Sequence, residues 1–432
     1  MKQYILSVLL ALFLATNAVA QDAVTDRKWY LAGEQMTVCV SMPDACIAYA
    51  ELCDTHSLAA GTLISIDNGK GIGHIELPQT MHSGYYQLSV YSRGSSSVWQ
   101  CLVPVINPLY GSTDDDMTWE ELPHDGSKTM DSHALHIPEA VPALRNIAVK
   151  AGMGIKEVEG HIVMARIRKG DKDEDVSFDL IHPSLSVVGK QIHYFEGRMV
   201  NDTTALFFTN DIYGRQPIML AANMSYGGNM PIELVSPFET LVPSSLPHLT
   251  FCYQRKEVEE RSRQMQLHQI AITPPKKELN IGEQETDDAT IDTEPLPYDN
   301  RIYSMEPSIS YNLDEYRQFA TVKETLLEYV RNVHRISNKG VEKLAVYNEQ
   351  DGYASWPAMV FIDGMPVYDI SRLLSYDARR VHYINVYEDR YTFGNAMYKG
   401  ILSIVTRSGK LTNYPLEPNM SYLVYDFPAY TK

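Results

Sequence analysis

The stretch "WPAMVFIDGMPVYDISRLLSYDARRVHYINVYED", residues 356–389, decides how the C-terminal part of the chain folds. Asp363-Gly364 lies between two apolar runs. A two-residue type I′ turn needs positive φ at both central positions, and Asp-Gly supplies that pair. "PAMVFIDGMPV" therefore reads as a β-hairpin. "ISRLLSYDARR" after it is helix-like, and "YINVYED" is a strand with Ile384 and Val386 facing inward. Upstream, Thr321-Val322-Lys323-Glu324 fits a capping box, a Thr N-cap with Glu three places later. Val322, Leu326, Val330 and Val333 then recur at helical spacing. Downstream, Gly400 precedes "ILSIVTRSG", a buried strand closed by Gly409.

This order of helix, hairpin, helix, strand and strand resembles the plug domain of TonB-dependent receptors. The matching pieces are Phe361 through Val367, Ile384-Asn385-Val386-Tyr387, Gly394, Gly400-Ile401, and Ile404 through Gly409, within residues 315–410. The resemblance implies a small α+β domain over 301–410, of the kind that fills a transmembrane β-barrel in that family. Two features depart from the family. No TonB box precedes the module, and the 23 residues after Gly409 hold two strands at most, against the many strands of about 9–11 residues that a barrel requires. Asp363 and the glycines read as turn formers, not as catalytic groups.

At the other end, Lys2, the apolar run Tyr4–Leu14 and the small-x-small triplet Ala18-Val19-Ala20 read as a signal peptide over 1–20. No later run approaches the roughly 20 apolar residues of a spanning helix, and no Cys stands at the cleavage point to carry a lipid anchor. The mature chain is therefore expected to be exported, and soluble or peripheral to a membrane.

Residues 21–108 read as a first β-sandwich. Met36, Val38 and Val40 alternate with Thr37, Cys39 and Ser41. "ACIAYAEL" is a second strand, and Asp67-Asn68-Gly69 opens a third at "GKGIGHIELP". Tyr86, Leu88 and Val90 share a face in "SGYYQLSVYSR". This region resembles the second macroglobulin-like domain of the alpha-2-macroglobulin family. Tyr30, Gly33 and Glu34 in "YLAGE" and Ser83-Gly84-Tyr85 before "YQLSVYS" carry the likeness, over residues 24–106. The family's larger inhibitors carry a Cys-Gly-Glu-Gln thioester. None of Cys39, Cys46, Cys53, Cys101 and Cys252 has that context, so a covalent protease trap is not expected. Plug and macroglobulin-like modules together are expected of exported Bacteroidetes-type proteins.

Residues 109–135, with Asp114, Asp115 and Asp116, read as a linker, and 136–250 as a second, immunoglobulin-like β-sandwich. Within it, "EGHIVMARIRKGDKDEDVSFDLI" (159–181) reads as two strands joined by a charged hairpin. Asp171, Asp173 and Asp175 superficially resemble a calcium loop, but Val176 and His182 stand where an EF-hand needs Gly and Glu. Phe207-Phe208-Thr209, with Asp211 and Gly214, reads as a final hairpin. A charged connector and acidic linker fill 251–300. In it, "RKEVEERSRQMQLHQ" is a short helix or an extended segment. The stretch 276–300 carries eight acidic residues and only Lys276 and Lys277 as bases. It is expected to be mobile.

The balance of charge restricts function. A net charge of −17 and no basic stripe exclude a free-standing nucleic-acid binder and general attraction to anionic lipid. Five cysteines without CxxC spacing exclude a zinc site or redox motif of that type. Buried free thiols are the default reading, with one disulfide as the alternative. No HExxH, GxSxG, phosphate-loop or dinucleotide motif is present. No catalytic, cofactor-binding or metal-binding residue is assigned, and no cofactor is implied. Tyrosine occurs 28 times. The aromatic tail 411–432 concentrates Tyr414, Tyr422, Tyr425, Phe427 and Tyr430, either as interface or glycan-stacking groups or as cover for a sheet edge.

The sequence thus predicts a mixed, mainly β fold: two β-sandwiches followed by a small α+β domain. The expected function is non-enzymatic binding or scaffolding at the periplasmic side of the outer membrane. The expected partner is an envelope protein or outer-membrane barrel protein, with glycan as a second ligand class. The alternative is an envelope hydrolase or protease-inhibitor-like protein with an unrecognised site.

Overall fold

Alternation builds the first module. In strand Gln35–Ser41, Met36, Val38 and Val40 are fully buried, and the residues between them are half-buried. This computed structural model describes residues 22–95, 98–109, 117–121, 155–170, 177–188, 192–225, 227–253, 255–272, 301–338, 341–349, 352–353, 357–394, 396–409, 411 and 414–429. The fold is mainly β. A three-stranded sheet (Asp22–Thr25, Gln35–Ser41, Lys70–Glu76) packs on a five-stranded one, ordered Tyr30–Leu31, Trp99–Ile106, Gly84–Tyr91, Ile47–Cys53, Leu58–Ser65. Their facing side chains form one core. Asn68 and Gly69 have φ of 51° and 77° and close the predicted turn, with Asp67 bridged to Lys70.

The second module is also a sandwich. Strands Arg198–Asn201, Thr204–Thr209, His161–Ile167 and Ile232–Leu234 form one sheet; His193–Glu196, Ile181–Val187, Arg215–Met224 and Ser421–Asp426 form the other. Two expected pairings are corrected here. His161–Ile167 and Ile181–Val187 do not form a hairpin, because they lie in opposite sheets and contribute Val163 and Leu185 to the core between them. Thr204–Thr209 and Arg215–Met224 are separated in the same way. Period-two alternation identifies a strand, but it does not choose the partner.

The expected linker at 109–135 is corrected too. Met117–Glu121 is a strand paired in parallel with Leu249–Tyr253. Its buried Met117 joins Leu249 and Phe251 against Leu31 and Ile106 of the first sandwich. The charged connector begins as helix Arg255–Ile272. Arg261 holds this helix to the first sandwich, 2.6 Å from Glu34 Oε2 and 3.6 Å above the Trp29 ring. The acidic stretch 276–300 lies outside the described residues.

In the C-terminal module the strands run in the order Ile309–Asn312, Val381–Phe393, Ala396–Thr406, Met359–Ile362, Met365–Pro366. Asp363 and Gly364 make the turn, with φ of 47° and 88°. The buried Asp363 carboxylate also accepts from Thr406 N (2.7 Å), Thr406 Oγ1 (2.5 Å) and Leu411 N (2.9 Å). It therefore clamps the end of the neighbouring strand. The capping box at Thr321 and Glu324 is formed, but helix Val322–Glu328 ends early. Val333 instead starts a strand, Val333–Asn338, of a small three-stranded sheet that the helical spacing concealed.

Both faces of the main C-terminal sheet are covered. Val360, Ile362, Ile384, Val386, Leu402 and Ile404 pack under the helices. Met359, Phe361, Tyr387 and Ile401 pack on Ile192 and Tyr194 of the second sandwich. The sandwich thus buries the face that the helices leave open.

The aromatic tail covers a sheet edge, one of the two roles that the sequence left open for it. Ser421–Asp426 pairs antiparallel with Arg215–Met224, whose edge it covers. Tyr414 is buried against Tyr376, ring to ring at 5.4 Å. Glu417 accepts from Tyr368 N and Asp369 N, each at 2.8 Å, and from Asn229 Nδ2 at 3.2 Å. Ala429 N donates to Leu63 O of the first sandwich at 3.4 Å. One segment thereby touches all three modules.

Candidate functional site

Side chains alternate along strand His193–Glu196. Phe195 enters the sandwich core, while Tyr194 packs toward the C-terminal module. Glu196 lies two residues on and shares that direction: its Oε2 accepts from Tyr194 OH at 2.7 Å and from Tyr398 OH at 3.3 Å. The hairpin joining Val381–Phe393 to Ala396–Thr406 turns at Gly394, φ 56°. A Cβ there would lie 3.4 Å from Glu196 Cβ, so the hairpin tip rests closely on this strand.

Beside this contact lies a cleft of about 420 Å³, lined chiefly by Tyr194, Glu196, Phe208, Tyr303, Tyr391 and Phe393. Its aromatic wall is itself packed. Phe393 stands edge-on to Tyr194 at 5.2 Å and stacks with Tyr303 at 5.9 Å. The Tyr303 hydroxyl donates to the Tyr194 carbonyl, which fixes the ring. Phe208 is 52% exposed. Burial raises the Glu196 pKa, against the two tyrosine hydrogen bonds, which lower it. Glu196 Oε1 has His182 Nδ1 at 3.9 Å. The cleft therefore offers flat apolar surface and one sheltered carboxylate. No family model matches the chain, and no curated protein matches it.

A second group of ionisable residues lies between the two sandwiches. Glu157 Oε1 is 3.3 Å from Arg93 NH1, 3.0 Å from His161 Nδ1 and 2.8 Å from Tyr49 OH. His161 Nε2 is 2.6 Å from Tyr425 OH. Arg93 also lies over the Tyr49 ring, 4.9 Å from its centre. Such a set resembles acid–base machinery, but the Arg93, Glu157 and His161 side chains are only 2–3% exposed. We assign it a structural role, with Arg93 charged, Glu157 ionised, and His161 neutral, giving its Nδ1–H to Glu157 and accepting from Tyr425.

Burial lowers the His161 pKa, against the raising effect of Glu157. Burial alone would raise Glu157. The His161 hydrogen bond, the Arg93 charge and the Ile162 N–H outweigh it and leave its pKa lowered. Below about pH 6.5 the unfolded chain takes up a proton at His161 that the folded chain refuses, so stability falls as pH drops. The Glu157 contribution is complete above its ordinary value of 4.5 and is lost as pH falls through its lowered value. Glu51, Glu196 and Asp363, raised by burial, act in the opposite sense. They cancel in a comparison of wild type with His161→Gln. The melting temperature of wild type should therefore drop more between pH 7.5 and 5.5 than that of the variant. Parallel drops would refute the neutral His161 assignment.

Asp114–Asp116, Asp171, Asp173, Asp175 and Tyr430 lie outside the described residues. Tyr414, Tyr425 and Phe427 are buried in seams. Among the described residues, no group of three His, Cys, Asp or Glu is placed to hold a metal ion. No helix among them is long and apolar enough to cross a membrane. None of the five cysteines forms a disulfide. The sequence reading missed Glu196 and the aromatic wall. Its only local signal was "HYFE", a strand whose polar ends flank two aromatics.

Proposed function

We propose that the chain is an exported, non-enzymatic binding or scaffolding protein of the periplasmic side of the outer membrane, and that its partner is an envelope protein. The macroglobulin-like and plug-like resemblances of its end modules belong to this proposal, as does removal of residues 1–20 on export. The observation that carries the binding reading is the aromatic cleft at the junction of two modules, with Phe208 exposed at its mouth. Exposed aromatics beside a packed aromatic floor are typical anchors of a protein contact.

A photo-crosslinking residue at position 208, used in native envelopes, tests the reading. One at Leu327, itself 80% exposed, serves as control. The expected result is a discrete adduct from position 208 that is absent at 327 and is lost in Tyr391→Ala. Equal labelling from both positions would contradict it.

A further inference from the structure

We propose that the cleft receives the basic side chain of a partner protein, an arginine guanidinium or lysine ammonium, with Glu196 as its counter-ion. This deepens the binding reading above and rests on it.

Three observations point to a cation. First, the wall is built from the rings of Tyr194, Tyr303, Tyr391 and Phe393, and aromatic faces attract cations through their quadrupole. Second, a carboxylate stands at this wall. Its Oε2 is engaged by two tyrosine hydroxyls. Among the described residues, its Oε1 has only His182 Nδ1 close by, at 3.9 Å, too far for a hydrogen bond. A carboxylate has about four acceptor sites, so capacity remains on the oxygen that the tyrosines leave. Third, the Glu196 side chain is only 7% exposed. A sheltered carboxylate held by neutral hydroxyls gains more from an incoming cation than one already solvated by water. The chain's net charge of −17 works in the same direction at long range. The volume also lies within the roughly 300–1,000 Å³ of small-ligand sites.

Arginine is the better fit of the two side chains. Its planar guanidinium stacks on a ring while donating to a carboxylate, whereas an ammonium is compact and more strongly hydrated. A neutral glycan would use the same rings without needing Glu196, and that difference provides the test.

N-acetyl-arginine amide and its uncharged isostere N-acetyl-citrulline amide should be titrated into the full-length protein, followed by NMR line shifts. N,N′-diacetylchitobiose serves as a neutral sugar. The arginine probe should bind at least about tenfold more tightly than the citrulline probe, the scale of a charge-assisted contact plus ring stacking. Glu196→Gln, which retains an acceptor for Tyr194, should abolish that preference. Phe208→Ala, a change at an exposed position, should weaken the arginine probe about threefold. It provides the test if Glu196→Gln does not fold. Equal binding of the two probes, preference that survives Glu196→Gln, or tighter binding of the sugar would each overturn the proposal. If crosslinking from position 208 still yields its discrete adduct, such a result removes the cation alone. If both fail, the binding reading fails as well.

Discussion

Removing residues 421–432 should unfold the second sandwich rather than trim a loose end. The truncation takes away the strand paired with Arg215–Met224. It also removes Tyr425 and Phe427, which are 5% and 3% exposed in that sandwich's core. Deleting a buried aromatic side chain typically costs about 3–5 kcal/mol. Two such losses approach the roughly 5–15 kcal/mol that holds a whole domain together. The truncated chain should therefore melt well over about 10 °C lower, or become insoluble as the apolar edge is exposed. The milder change Tyr425→Phe removes only the hydroxyl that His161 accepts from. It should cost about 1 kcal/mol. A truncated chain that melts at the wild-type temperature would show that the tail strand does not support the fold.

Arg93→Ala should be the most damaging single substitution between the sandwiches. Arg93 donates to Glu157 Oε1, to the Ile162 carbonyl at 2.6 Å and to the Pro237 carbonyl at 3.3 Å. Its loss leaves a buried carboxylate without its cation, a change that costs about 3–5 kcal/mol. Replacing both partners, as Arg93→Met with Glu157→Gln, should recover much of that loss, because the isolated charge is then gone. Denaturant unfolding of the single and double variants measures this directly. If Arg93→Ala costs under about 1 kcal/mol, the ion pair is not a structural link between the modules.

What the sequence made legible was local. Alternation at Met36, Val38 and Val40, the Asp363-Gly364 turn, and the Thr321–Glu324 cap each depend on residues within a few positions, and each is formed. What it concealed depends on distant chain. Glu51, Gln87 and Ser89 are polar strand residues, yet all three are buried under the second sandwich. There Leu241 N donates to Glu51 Oε1, and Gln87 donates to Leu241 O. The Glu196 site needs Tyr398, 202 residues away, and the Arg93 network needs Glu157, 64 residues away. Val333 continued a helical spacing by coincidence, because pairing with Val346 fixes it in a strand. Patterning states which face is apolar. It does not state which other module will cover that face.

The segment 414–429 contacts all three modules and is expected to hold them as one cooperative body. Native-state hydrogen exchange on the full chain tests it most directly. The amides of 421–426 should exchange only with the slow opening of Arg215–Met224. The amides of Met359–Ile362, whose sheet packs on Ile192 and Tyr194, should follow the same opening. If 421–426 exchanges within seconds while both sheets remain protected, the tail is a loose end and the account is wrong.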